Sequence, residues 1–325
     1  MKIQFPGFVD LQVNGFAGVD FNTPGNPPEK TQSALAAIRA TGVTRCLPTL
    51  ITSSFEHFAA CARAITDCVD TGIAGLHMEG PYISPLAGAR GAHPLNQVKL
   101  ASLDDFLRRQ DAAAGRIVLV TLAPEVPGAL ALIEALVARN VRVAIGHTTA
   151  DRDQLHAAVS AGASLSTHLG NGCPQLLHRH DNVIWEQLGQ DQLSATLIVD
   201  GHHLPAAVVK SIVRAKGLAR TILVTDAVAA AGAPPGRYRL GDEEVELVAT
   251  GRVSQPGAAH LAGSSLTMDM AVANTARSCG LSLEEVLPLA TTNPANLLGI
   301  APAGQVTADW NPATYCLTIS GVMEG

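Results

Sequence analysis

The chain is poor in charge and has no long apolar run. Of its 325 residues only 15% are charged, and the formal net charge is −6. Lys and Arg do not cluster, so no basic face is available for a nucleic-acid backbone. An anionic substrate would need a local cationic pocket instead. No apolar stretch exceeds the length of a strand or an amphipathic helix, which excludes a helical membrane span. The cysteines Cys46, Cys61, Cys68, Cys173, Cys279 and Cys316 form no Cys-x-x-Cys pair, so they read as buried, reduced thiols. The opening Met1-Lys2-Ile3-Gln4-Phe5-Pro6 carries no export pattern, and the expected location is the cytoplasm. There is no internal repeat and no low-complexity tract.

What the chain has in quantity is apolar material, 47% of all residues. Apolar, β-branched runs alternate with Ala/Leu-rich helical stretches. The expected strands are Phe8–Val13, Arg45–Ile51, Gly72–Met78, Ile117–Leu122, Val141–Ile145, Ala163–Thr167, Ala195–Val199 and Thr221–Thr225. Such alternation predicts a parallel sheet with helices outside it, and eight strands predict closure into a (β/α)₈ barrel. An open, doubly wound sheet is the rival fold, but no Gly-x-Gly-x-x-Gly turn follows the first strand. The rhythm breaks at residues 236–261, which read as a β-hairpin inserted after the last barrel strand. Residues 1–299 are therefore taken as one barrel domain and 300–325 as a tail, the remnant of a small β domain.

Four residues close apolar runs and are followed by turns: Glu79 in His-Met-Glu-Gly-Pro-Tyr, His147 in Ile-Gly-His-Thr-Thr, His168 in Ser-Thr-His-Leu-Gly, and Asp226 in Val-Thr-Asp-Ala. Each alone is as well read as a structural group. Together they end the third, fifth, sixth and eighth strands, and a closed barrel makes those ends converge on one cavity. Glu79, His147 and His168 can hold one divalent metal and leave a position open for water. Zinc suits imidazole and carboxylate best, while Fe²⁺, Co²⁺ and Mn²⁺ are chemically competent. Asp226 can accept a proton from the water and return it to a leaving amine. The chemistry expected of this set is hydrolysis of an amide or a close relative.

At these residues the sequence resembles the N-acetylglucosamine-6-phosphate deacetylase family of the amidohydrolase superfamily. The likeness runs through Pro6-Gly7-Phe8-Val9-Asp10, Leu76-His77-Met78-Glu79-Gly80-Pro81-Tyr82, Arg90-Gly91-Ala92-His93-Pro94 and Asp200-Gly201-His202-His203. It continues through Leu261-Ala262-Gly263-Ser264-Ser265-Leu266-Thr267-Met268 and Thr292-Asn293-Pro294-Ala295. The resemblance implies that Glu79, His147 and His168 bind the metal, that Asp226 is the acid/base, and that His93 sits near the scissile carbonyl. It also implies that His203, Asn171 and Gly172 contact an amino sugar phosphate. Arg179 falls where the family has a phosphate-binding arginine reaching in from the neighbouring subunit of a homodimer, and its planar fork suits two phosphate oxygens.

Two departures bear on this expectation. Many superfamily members have His-x-His at the end of the first strand, supporting a second metal, where this chain has Gln12-Val13-Asn14. Neutral amides are poor transition-metal ligands, so one metal is expected; Gln12 is expected to contact the substrate. The loop after His168 has Gly170 where the family has an aromatic residue, which widens the pocket and bears on sugar identity. Two alternatives stay open: an amidohydrolase acting on another, unphosphorylated N-acyl amine, and a non-catalytic barrel that binds sugar phosphates.

Overall fold

The chain opens with a short strand, β1 (Lys2–Pro6), and enters β2 (Phe8–Val13), whose six residues are all buried. Burial on both faces is what a parallel strand covered by helices requires. Seven more parallel strands follow: β3 (Val43–Ile51), β4 (Leu76–Glu79), β5 (Ile117–Leu122), β6 (Arg142–Ile145), β7 (Leu165–Ser166), β8 (Ser194–Leu197) and β9 (Thr221–Leu223). They form one eight-stranded sheet in sequential order from β2 to β9. The fold is the expected (β/α)₈ barrel. The computed structural model describes residues 1–258 and 260–324; Ala259, within the 236–261 segment, and Gly325, at the end of the tail, lie outside the described residues.

The barrel closes where β2 meets the segment after β9. Val13 bridges Ala227 in parallel, and the amides of Asn14 and Asp226 donate to Ala227 O at 2.7 Å and Gln12 O at 2.9 Å. Asp10, buried in β2, reinforces this seam. Its carboxylate accepts from the Thr225 hydroxyl at 2.6 Å and from the Thr225 and Gln12 amides at 3.2 Å each. Helices pack around the sheet and begin at polar caps. Ser54 and Ser102 accept from amides in their first turns, and Asp151 and Ser282 form capping boxes with Gln154 and Glu285.

Residues 236–254 form a three-stranded antiparallel sheet, β10 (Gly236–Leu240), β11 (Glu243–Leu247) and β12 (Val253–Ser254). Its apolar face packs on Ile51, Val228 and Ala230 at the barrel mouth. Buried Asp20 ties it down by accepting the Gly241 amide at 2.8 Å. The tail supplies β13 (Gln305–Asn311) and β14 (Cys316–Met323); β13 pairs with β1 on one side and β14 on the other in a further sheet ordered β1-β13-β14. Two features were not expected from the sequence. Lys2–Pro6 is a strand because its partner lies about 300 residues away, beyond any local pattern. The helices Val183–Gly189 and Thr292–Leu298 are seven residues each, too short for a visible helical period.

Candidate metal centre and active site

Glu79 is the last residue of β4, His147 and His168 lie two residues beyond β6 and β7, and Asp226 lies three beyond β9. All four are buried at one end of the barrel and line the same cavity of about 800 Å³. His147, His168 and Asp226 each have left-handed backbone, with φ of 51°, 33° and 49°. Non-glycine residues rarely adopt this conformation, and three at one site mark a turn whose side-chain direction has been favoured over backbone comfort. Gly80 (φ 77°) and Gly172 (φ 58°) serve the same turns. A Cβ on Gly172 would come within 3.0–3.2 Å of His147 and His168, a tight approach that with its positive φ favours glycine.

Glu79 Oε1 lies 3.2 Å from Nε2 of His147 and 3.2 Å from Nε2 of His168, and the two ring nitrogens are 3.1 Å apart. His147 Nδ1 faces Ala89 O at 2.9 Å, which makes Nδ1 the protonated nitrogen and leaves the Nε2 lone pair toward Glu79 and His168. Buried lone pairs converging with a carboxylate call for a cation between them. These three donor atoms form a cluster within 4.8 Å, all from buried residues, which fits a divalent ion.

Without an ion the same site holds protons in its place. Burial alone would raise the Glu79 carboxyl, yet hydrogen bonds and charge from His147 and His168 hold it well below its ordinary value. Burial depresses His147, but Glu79 outweighs it and the net shift is upward. Burial, and then the charge of Glu79, push Asp226 up to about 6, while His168, His203 and the Asn14 hydrogen bond pull it down. His93 is lowered to about 3, by burial and then by His147, so its ring is neutral.

Much of the scaffold around these residues is hydrogen-bonded. Glu125 accepts from the Thr149 amide at 2.6 Å and from both Thr148 and Thr149 hydroxyls, which clamps the turn after His147. The His168 amide donates to Thr196 Oγ1 at 2.7 Å. Below the site, His77 lies between Thr49 Oγ1 at 3.3 Å and Thr121 Oγ1 at 2.7 Å, and Thr121 continues to Thr167. His77 is thus a core imidazole, lowered by burial to about 4. Past Glu79, Tyr82 donates to Asp105, which also pairs with the buried Arg109.

The other sequence-derived residues divide into three groups. His93, Asn171, Gly172 and His203 line the cavity. The His93 ring stands 4.3 Å from that of His147, and His203 is held by Asp200 at 2.7 Å, whereas His202 turns outward to Thr250 O. Gln12 reaches the site from below: Nε2 is 3.0 Å from Glu79 Oε1 and 3.1 Å from Asp226 Oδ1. It acts on protein carboxylates and does not line the cavity. Arg179 is exposed on the 175–182 loop, outside this chain's cavity.

Sequence reading passed over Asn14, which lines the cavity and donates to Asp226 Oδ1 at 2.7 Å. Its signal was present: Asp10, Gln12 and Asn14 alternate, so a strand turns them to one side. Leu240 and His260, lining the cavity from the 236–261 segment, had no local signal. Gly170 also lines the cavity, and a Cβ there would meet the Leu204 side chain at 2.9 Å.

Comparison with known proteins gives an independent line. A model of the amidohydrolase family matches residues 3–311. The chain is 33% identical to an N-acetylglucosamine-6-phosphate deacetylase of Lysinibacillus sphaericus, over 95% of this chain and 80% of the relative. It is 35% identical to an N-acetylgalactosamine-6-phosphate deacetylase of Escherichia coli O157:H7, over 91% of this chain and 78% of the relative. Among solved structures, the N-acetyl-D-glucosamine-6-phosphate deacetylase of Mycobacterium smegmatis superimposes with a TM-score of 0.90 at 33% identity, covering 99% of this chain and 86% of that one.

Proposed function

The chain belongs to the amidohydrolase family, and from that premise we propose that it hydrolyses the acetamide of N-acetylglucosamine 6-phosphate to glucosamine 6-phosphate and acetate. The observation that carries the reading is the convergence of Glu79, His147, His168 and Asp226 in one buried cavity at the barrel mouth. Glu79, His147 and His168 would hold one divalent ion, which we take to be zinc. Such an ion supplies Lewis acidity, polarising an amide carbonyl and acidifying water.

Asp226 takes the proton that the attacking water loses. The water oxygen bonds to the carbonyl carbon, the C–N bond then breaks, and Asp226 returns the proton to the departing nitrogen. Acetate and a free amine result. Neutral His93 lies beside His147 with its Nδ1 2.8 Å from Thr52 Oγ1; in the tautomer whose Nδ1 accepts there, Nε2–H would bind the oxygen on which negative charge develops. His203, fixed by Asp200, and the Asn171-Gly172 loop would orient the sugar.

The phosphate is assigned to Arg179. Its exposure beyond this chain's own cavity is the arrangement required if two copies form a dimer and each lends the arginine to the other. Cytoplasmic location accords with six free cysteines. Among the described residues no helix is long and apolar enough to cross a membrane.

A second reading, the galacto epimer as substrate, is favoured by one observation: relatives named for either epimer match this chain at 33% and 35% identity. Acetate release by zinc-loaded protein should be compared for N-acetylglucosamine 6-phosphate, N-acetylgalactosamine 6-phosphate and unphosphorylated N-acetylglucosamine. Preference for the first supports the proposal, and preference for the second replaces the epimer. Turnover of the unphosphorylated sugar alone would overturn the phosphate assignment.

A further inference from the structure

We propose that Asn14 is a positioning residue that gives the two oxygens of Asp226 different tasks. This rests on the hydrolytic reading of the site. Oδ1 of Asp226 accepts from Asn14 Nδ2 at 2.7 Å and from Gln12 Nε2 at 3.1 Å. With two amide donors on one oxygen, its lone pairs are engaged, and Oδ2 is left to receive the proton. A carboxylate free to rotate would present either oxygen, or neither, along the path from water to leaving nitrogen. Holding one fixed is worth more than the hydrogen bond itself, because proton transfer depends on distance and direction.

Asn14 is built for this duty. Its own amide donates to Ala227 O at 2.7 Å, and its carbonyl accepts from the Phe21 amide at 2.9 Å. The backbone is thus pinned on both sides at the barrel seam, next to the segment that carries Asp226. The side chain is buried and lines the cavity. Its Oδ1 is buried without a hydrogen-bond partner. Such an orphaned acceptor is costly to keep, a cost offset where the other end of the same amide holds Asp226. The amide orientation follows from chemistry: a carboxylate accepts, so the NH₂ group must face Asp226 and the oxygen must face away.

The test compares wild type, Asn14→Ala and Asn14→Asp, each zinc-loaded, acting on N-acetylglucosamine 6-phosphate. Asn14→Ala is expected to lower kcat by about a hundredfold, with KM within threefold and metal content unchanged. Asn14→Asp, isosteric but an acceptor facing an acceptor, is expected to be at least as damaged as Asn14→Ala. A merely space-filling role predicts the reverse order, since the shape is preserved. An Asn14→Ala enzyme within threefold of wild-type kcat would overturn the inference, and so would Asn14→Asp outperforming it. If Asn14→Ala does not fold, Asn14→Asp carries the test by the same kcat threshold. A wild type inactive on both N-acetylglucosamine 6-phosphate and N-acetylgalactosamine 6-phosphate would overturn the deacetylase reading and this inference with it. An active wild type with unaffected variants overturns the inference alone.

Discussion

The Gln12 side-chain amide donates to Glu79 Oε1 at 3.0 Å. The same nitrogen lies 3.1 Å from Asp226 Oδ1, so one neutral group separates the proposed metal ligand Glu79 from the proposed acid/base Asp226. Two buried carboxylates this near repel unless something positive or donating stands between them. In this chain the two N–H bonds of one amide fill that place, which a second cation would otherwise occupy. Protein dialysed against excess zinc is therefore expected to retain one equivalent per chain by elemental analysis. Two tightly held equivalents would show that the amides of Gln12 and Asn14 act as ligands after all.

Asp226→Asn keeps the shape and removes the proton acceptor. Turnover is expected to fall by at least about a thousandfold, while the metal stoichiometry stays that of wild type. Near-normal kcat in this variant would mean that another group moves the proton.

Arg179→Ala is expected to raise KM for a phosphorylated sugar by about tenfold or more, with a much smaller change for an unphosphorylated one. The two-chain arrangement has a sharper consequence. Mixing Arg179→Ala with Asp226→Asn places an intact Asp226 opposite an intact Arg179 in mixed dimers, and low-KM activity should reappear. Failure to recover it after subunit exchange would rule out sharing of the arginine.

If His147 holds the ion as proposed, metal and protons compete for it. Burial pushes its pKa down, but the hydrogen bond and charge of Glu79 raise it above the ordinary 6.5 in the metal-free protein. Competition by protons therefore begins above pH 6.5, and zinc affinity should decline as pH falls through that point. Titration calorimetry from pH 8 to 5.5 checks this; an affinity independent of pH would show that His147 is not a ligand.

The barrel seam has its own pH dependence, away from the metal. Burial pushes Asp10 up to about 7 against the pull of the Thr225 hydroxyl and the Gln12 and Thr225 amides. In the unfolded chain the carboxyl titrates near 3.8. Between those values the native state holds the proton more tightly, so folding stability from this group falls as pH rises from 3.8 through about 7. The shift corresponds to something on the order of 4 kcal/mol. Denaturant midpoints at pH 5 and 8 should differ less for Asp10→Asn than for wild type, and equal differences would sink this assignment.

The barrel was legible because its signals are local. Phe8–Val13 and Ile117–Leu122 are strands with the bounds that their apolar runs suggest. Glu79, His147, His168 and Asp226 stood out because each ends such a run before a turn. Less visible was everything set by long-range pairing. The β1–β13 ladder joins the two ends of the chain, and Glu125 reaches Thr148 and Thr149 across 23 and 24 residues. Asn14 was set aside as a poor ligand, and its role as a donor to Asp226 appears only once the barrel closes. Arg179 shows another limit, since its proposed task lies in a second copy of the chain.

The left-handed backbone at His147, His168 and Asp226 has a consequence for how such a protein drifts. Each position holds a conformation that costs on the order of 1–3 kcal/mol for a residue with a side chain, and that glycine or asparagine adopts more readily. Abandoning the chemistry relaxes the fold, so loss of activity is the downhill direction for a lineage no longer selected for turnover. Laboratory populations selected for heat resistance alone should accumulate Gly or Asn at 147, 168 and 226 ahead of other cavity positions. Retention of His, His and Asp at these sites would then be a record of selection for catalysis.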